Sequence, residues 1–282
     1  MTVPGRGAVA TLARAHRRGS TVALFLDYDG TLARIARRPD LAVLPASRRR
    51  LLTELSCLPR VTVGVVSGRA LAELRRLVAI RGIYYAGTGG MEIDLPGRRV
   101  HHPAQAACRR IVARAGRLTA TLPRRWPGAW IEPKPIGITV HFRDVERRLR
   151  PALLSALHQA LGPIAPHLHL MYPRDAVEIL PRAGWDKGSA VRIMLRDIRA
   201  ASVVPCYAGD DVNDVHAFEA ALTAGGIAIG VGSRAPEGAT YHVAGPGALD
   251  RLLQALRRAI SSSRAPRRSP SSAHRTPTRR PR

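Results

Sequence analysis

Residues 21–32 run Thr-Val-Ala-Leu-Phe-Leu-Asp-Tyr-Asp-Gly-Thr-Leu, an apolar segment that delivers two carboxylates into a glycine turn. Val22–Leu26 has the length and the apolar, aromatic and β-branched content of a buried parallel strand, the element from which α/β sheets are built. Asp27 and Asp29 then fall at its carboxyl end, where open α/β sheets place their ligands. Two aspartates one residue apart do not both ionise comfortably in a crevice unless a cation or a phosphate partner separates their roles. One of them can serve as nucleophile and the other as general acid. Asp and Gly also suit a solvated turn. Directly after five apolar residues, however, the pair argues for metal-assisted phosphoryl transfer.

The rest of the chain repeats the strand–helix alternation of a doubly wound parallel sheet. A short helix is expected over about 7–18, another near Ala46–Leu58, and a second buried strand at Val61–Val66. A helix through Val78 and a third strand near Gly82–Ala86 follow. From about Pro103 the pattern changes to an arginine-rich helix over about Ala104–Leu122 and a strand alternating Ile136, Ile138, Val140 and Phe142 with polar residues. That period of two marks a half-buried strand. By the same parity Thr139, His141 and Arg143 share one face, and Glu132 projects together with Lys134. A helix with Leu149, Leu153, Leu157 and Leu161 and two short strands near Leu168–Tyr172 and Ala176–Leu180 complete a small α+β unit. Alternation then resumes. The fold class expected is α/β, a doubly wound parallel-sheet (Rossmann-like) core over 1–102 and 181–260 with an inserted α+β cap over 103–180.

Composition narrows the setting. The 282 residues carry a net charge of +25, and Arg257–Arg282 holds nine arginines and no acid among Ser and Pro. Residues 261–282 are therefore expected to be a disordered basic tail. Such a tail attracts nucleic acid only non-specifically, and the low aromatic content of 4% argues against base stacking. Three cysteines without a paired spacing suit a reducing cytoplasm. No apolar run approaches the roughly 18 residues of a membrane span, and no signal peptide is expected. Only Lys134 and Lys187 break the arginine monopoly among 45 basic residues. A compact ammonium does what a guanidinium fork cannot.

Three further constellations carry chemistry. Ser67-Gly68-Arg69 ends the second strand, where a hydroxyl and a helix N-terminus could bind a phosphoryl oxygen, or Ser67 could simply cap that helix. Lys187, in Trp185-Asp-Lys-Gly188, could screen a nucleophile and a transferring phosphoryl group, or stand solvated in a first helical turn. Asp210, Asp211 and Asp214 cluster after an apolar strand, hard oxygen donors suited to Mg²⁺ rather than zinc.

In order and strand-end setting these pieces resemble the haloacid-dehalogenase-like phosphatases, and more narrowly the trehalose-6-phosphate phosphatases. The resemblance rests on DYDGTL at 27–32, SGR with Leu71 and Leu74, Gly87-x-x-Gly-x-Glu92, Glu132-Pro-Lys134, His141-x-Arg143, Glu178-Ile-Leu-Pro181 and Trp185-Asp-Lys-Gly188. It implies a nucleophilic Asp27 forming an aspartyl-phosphate, Asp29 as acid and then base, and Ser67 and Lys187 on the phosphoryl oxygens. It implies Mg²⁺ held by Asp27, the Asp29 carbonyl and Asp210, with Asp214 in support. Substrate binding falls by the same resemblance to Gly68, Arg69, Glu92, Glu132, Lys134, His141, Arg143, Arg174 and Glu178. The implied substrate is trehalose 6-phosphate, made by a separate synthase, since no glycosyltransferase-like domain accompanies the phosphatase motifs. Three departures from the family pattern stand out: Gly89 replaces a histidine, Asn213 and Val215 replace Thr and Glu, and Arg174 replaces a lysine. None touches the phosphoryl-transfer residues. Another sugar-phosphate phosphatase, acting on sucrose phosphate or mannosyl phosphoglycerate, and a basic nucleic-acid binder on a retired scaffold are the alternatives.

Overall fold

The structure is a computed structural model. It describes residues 3–262 apart from Gly5, Arg37, Pro39, Asp40, Pro135 and Arg174. The expected tail therefore lies outside the described residues from 263 onward, and residues 261 and 262 are the end of a helix.

In chain order, β1 (Val3–Pro4) and α1 (Arg6–Arg17) precede β2 (Thr21–Asp27), every residue of which is buried. The alternation continues through α2 (Ala46–Ser56), β3 (Val61–Val66), α3 (Leu71–Val78) and β4 (Tyr84–Gly87). A hairpin of β5 (Glu92–Leu95) and β6 (Arg98–His101) follows. Next come α4 (Gln105–Thr119), the short α5 (Leu122–Arg125), β7 (Trp130–Lys134) and β8 (Gly137–His141). After α6 (Arg150–Leu161) stand β9 (Leu168–Met171) and β10 (Ala176–Pro181). The chain closes through α7 (Lys187–Asp197), β11 (Val203–Gly209), α8 (Val215–Thr223), β12 (Ile227–Val231), β13 (Tyr241–Val243) and α9 (Pro246–Ser262).

The larger sheet has the order β1-β13-β12-β11-β2-β3-β4-β5-β6. Pairings are parallel from β1 to β4 across that order, and antiparallel only at β4–β5 and β5–β6. The antiparallel edge was not foreseen. Its four-residue strands are too short for a periodic signal, and Arg98, Arg99 and His101 give them a polar cast. β2 shows why the sheet is layered on both sides. Val22, Leu24 and Leu26 pack into a core with Leu12, Leu52, Leu74 and Leu256. Ala23 and Phe25 face the opposite core with Met194 and Phe218. Period-two side chains on a strand buried twice demand helices on both faces.

The chain runs outward from β2 to β3 and β4, then returns to the other side of β2 with β11. The strand order reverses between β2 and β11, and that switch point opens a crevice at the carboxyl ends of the two strands.

The second sheet has the order β7-β8-β10-β9 and is antiparallel throughout. One face closes over its own core, in which Ile138, Val140, Val177 and Ile179 meet Val112, Leu153 and Leu157 of α4 and α6. The other face carries Glu132, Lys134, Thr139, His141 and Glu178, which line a cavity shared with Asp27, Asp29 and Lys187.

Candidate active site

Asp27 ends β2, beside Val66 of β3, and is 3% exposed. The turn after it needs Gly30. Its φ is +83°, and a Cβ there would lie 2.1 Å from an Asp210 carboxylate oxygen. Glycine is thus required on both conformational and steric grounds, and its absence of a side chain lets the β2 and β11 ends close on each other.

Lys187 is the first residue of α7, where Asp186 caps the helix by accepting from the Ser189 amide at 2.7 Å. The ammonium is 4% exposed, which removes the solvated alternative. Its three protons meet Asp27 Oδ1 at 2.6 Å, Asp214 Oδ1 at 2.7 Å and Asn213 Oδ1 at 3.0 Å. Burial opposes its charge, but Asp214 and Asp27 outweigh burial and lift its pKa. For Asp27 the balance differs. Burial pushes its carboxyl well above the usual range, and Asp214 and Asp210 add repulsion that Lys187 only partly offsets.

Asp214 is fully buried and fully engaged. Besides Lys187 it accepts from the Tyr207 hydroxyl at 2.8 Å and from the Asp210 and Asp211 amides at 3.1 Å. It fixes the loop that presents Asp210. Asp211 is a helix cap, accepting from the Val212 amide, and so accounts for one acid of the cluster structurally. Burial pushes the Asp210 carboxyl up to about 7, with repulsion from Asp214 next, against the pull of Arg234 and Lys187.

Asp27, Asp210 and Asp214 offer carboxylate oxygens within 4.8 Å of one another. Carboxylates crowded in this way, with proton affinity raised at Asp27 and Asp210, are held together at a cost that a hard divalent cation relieves. The donor set therefore fits an oxygen-liganded dication.

Asp29 is half-exposed and is held from both sides of its carboxylate by Arg69, Nε to Oδ2 at 2.7 Å and Nη2 to Oδ1 at 2.8 Å. Arg69 also meets Glu73 and lies 5.2 Å above the Tyr28 ring. Ser67 is not a helix cap: α3 begins after Ala70 without a side-chain cap, and the Ser67 hydroxyl accepts from the Arg69 amide at 3.1 Å. Gly68 adjoins the second sheet. A Cβ there would sit 3.3 Å from Glu178 Oε1.

Across the cavity, Lys134 donates to Glu178 at 2.7 Å, both nearly buried. Burial opposes the Lys134 charge, yet Glu178 and Glu132 outweigh it and raise its pKa. Glu132 lies 2.8 Å from His141 Nε2, and burial notwithstanding, that bond and Lys134 hold its carboxyl below the usual range. The His141 ring stacks on Trp130 with centroids 3.9 Å apart. Arg143 lines the cavity and reaches Asp175 at 3.7 Å and the Ala36 carbonyl at 3.3 Å. One expected binding residue is not brought to this place. Glu92 does not line the cavity and accepts from the Thr88 hydroxyl at 3.2 Å. Arg174 lies outside the described residues. A second groove, bounded by Arg75, Arg81, Arg98 and Arg99, shares no residue with the cluster.

Sequence reasoning missed Arg234, Asn213 and Trp130. Arg234 follows β12 and donates to Asp210 Oδ2 at 2.6 Å; its only signal was a basic residue just beyond a strand end. Asn213 stood out as a departure from the family pattern, and its carbonyl takes a Lys187 proton. Trp130 has the parity of Glu132 and Lys134, which would have placed it on the cavity wall.

A parallel sheet with acids at its switch point, a buried lysine on Asp27 and a second sheet beside the crevice are the architecture of the haloacid-dehalogenase-like class. A family model described as trehalose-phosphatase matches residues 25–246. The chain belongs to the trehalose-phosphatase family, a family of phosphoric monoester hydrolases. Trehalose-phosphate phosphatase B of Arabidopsis thaliana is 31% identical over 254 residues, which cover 85% of this chain and 67% of that protein. The trehalose-phosphate phosphatase of Mycobacterium ulcerans (strain Agy99) is 35% identical over 211 residues, 73% of this chain and 53% of the relative. The chain thus spans about half the length of its mycobacterial relatives. Among solved structures, a trehalose-6-phosphate phosphatase related protein superposes with a TM-score of 0.73 at 25% identity, covering 86% of this chain and 100% of that one.

Proposed function

We propose that this protein hydrolyses trehalose 6-phosphate to trehalose and phosphate, with 1–102 and 181–260 as catalytic core and 103–180 as a specificity cap. The observation that carries the reading is the buried Asp27–Lys187–Asp214 contact beside Asp210, facing a wall of sugar-binding side chain types. An Asp27 carboxylate oxygen attacks phosphorus and the bond from phosphorus to the sugar oxygen breaks. Asp29 delivers its proton to that oxygen. Water, deprotonated by Asp29, then attacks the aspartyl-phosphate, releasing phosphate and the Asp27 carboxylate.

The Ser67 hydroxyl holds an equatorial phosphoryl oxygen, and the Lys187 charge, fixed beside Asp27, stabilises the negative charge that builds there in the transition state. Arg69, donating to both oxygens of Asp29, holds its carboxylate, the form that deprotonates water. Asp27, Asp210 and the Asp29 carbonyl would hold Mg²⁺, with Asp214 fixing the loop. Mg²⁺ would neutralise phosphoryl charge and pair with Asp27 so that it reacts as an anion. Glu132, Lys134, His141, Arg143 and Glu178 read the sugar from the cap. The reaction runs in a cytoplasm on substrate supplied by a separate synthase.

Phosphate release from trehalose 6-phosphate, sucrose 6-phosphate, mannosyl phosphoglycerate and glucose 6-phosphate, with Mg²⁺ and with chelator, tests this. Trehalose 6-phosphate is expected to give the highest kcat/KM, with turnover lost in chelator. Preference for another member of the panel overturns the substrate, and full turnover in chelator overturns the metal.

A further inference from the structure

Three strands of the second sheet carry one row of side chains across the cavity wall. Glu132 on β7 stands opposite Thr139 on β8, and Thr139 stands opposite Glu178 on β10. Both flanking carboxylates have partners, Glu132 in His141 and Glu178 in Lys134. The residue between them has none. Thr139 is 4% exposed, and its hydroxyl makes no hydrogen bond among the described residues. Its neighbours Ile138 and Val140 point into the core beneath, so parity turns Thr139 to the cavity that it lines. A buried hydroxyl left unpaired is costly, and native structures hold few of them. Valine has the same shape and suits a strand equally well. A threonine here, facing a cavity and flanked by two acceptors, calls for a partner that enters from the cavity.

On the sugar-phosphate reading above, we infer that Thr139 is a specificity-determining residue whose hydroxyl bonds a hydroxyl of the substrate's leaving sugar. A sugar hydroxyl brings one proton and two lone pairs. Its proton goes to the Glu132 or Glu178 carboxylate, and its oxygen accepts the Thr139 proton. The row thus reads a neutral hydroxyl and rejects a phosphoryl oxygen, which the two carboxylates repel.

The test compares wild type, Thr139→Val and Thr139→Ser on trehalose 6-phosphate, its monodeoxy analogues and p-nitrophenyl phosphate, with melting temperatures alongside. Loss of one neutral hydrogen bond lowers kcat/KM of Thr139→Val on trehalose 6-phosphate, relative to the aryl phosphate, roughly 3- to 10-fold. Thr139→Ser recovers most of it. On the monodeoxy analogue lacking the bonded hydroxyl, wild type and Thr139→Val become equal. The melting temperature of Thr139→Val stays at or above that of wild type. Equal kcat/KM for wild type and Thr139→Val on trehalose 6-phosphate overturns the inference. So does a parallel loss on both substrates with a fall in melting temperature, which marks a structural role. Should wild type itself prefer another sugar phosphate, the substrate reading fails separately. The same comparison on that sugar phosphate then decides Thr139 by the same criterion.

Discussion

At the residue scale the site turns on Lys187, an ammonium whose three protons are all taken by buried acceptors from β2 and the loop after β11. Its place could not be held by arginine, whose planar fork cannot point three ways from one atom. Removing one partner of a buried charge cluster leaves the rest uncompensated, at a cost of about 3–5 kcal/mol. Lys187→Met is therefore expected to lose turnover and also that much stability in chemical denaturation, because Asp27 and Asp214 are then left to repel each other. A stability equal to wild type would mean that the carboxylates take up protons without cost, and that Lys187 does not hold the site together.

At the element scale the second sheet works by alternation. Ile138, Val140, Val177 and Ile179 seal its core, and the alternate residues Glu132, Lys134, Thr139, His141 and Glu178 reach the cavity. Lys134 and Glu178 sit on β7 and β10, with β8 between them. They bond at 2.7 Å over that strand. The pair is a sheet-level device, and its energetic weight is that of a charge-assisted bond, roughly 1.5–3 kcal/mol. If this pair reads the disaccharide, Lys134→Ala lowers kcat/KM on trehalose 6-phosphate by about 10- to 150-fold. Lys134→Arg does not restore it, since the larger fork places its donors elsewhere. Steady-state kinetics on trehalose 6-phosphate check this, and wild-type kcat/KM in both variants would remove the pair from sugar recognition.

At the scale of the whole molecule, two sheets close on a crevice where the order of the larger one reverses. A net charge of +25 surrounds it with a field that draws in a phosphate ester. Such attraction at a distance fades with salt, beyond about 10 Å at 0.1 M. The apolar face of α9 is complete by Ile260, with Leu249, Leu252, Leu253 and Leu256 buried beside it. Deleting residues 263–282 is therefore expected to leave kcat/KM at 0.1 M salt within about twofold of wild type, with the melting temperature unchanged. A larger loss in either measurement would tie those residues to the folded body.

Much of this was legible in the chain itself, because local chemistry decided it. The apolar run of β2 and the glycine after Asp29 pointed to a buried strand running into a turn, which placed Asp27 at a strand end. Period-two alternation in β8 and β7 told which residues of the second sheet travel together, and the scarcity of lysine singled out Lys134 and Lys187. The tertiary structure alone decided who meets whom. Arg69 was expected on substrate and grips Asp29; Ser67 could have been a cap and is not; Asp211 caps a turn while Asp210 joins the buried acidic cluster with Asp27 and Asp214. Arg234 reaches Asp210 from a loop 24 residues further on. The lone hydroxyl of Thr139 became informative only once Glu132 and Glu178 were set on either side of it. Periodicity and turn chemistry act between near neighbours, whereas these pairings join residues far apart in sequence, and only the closed sheets fix their distances.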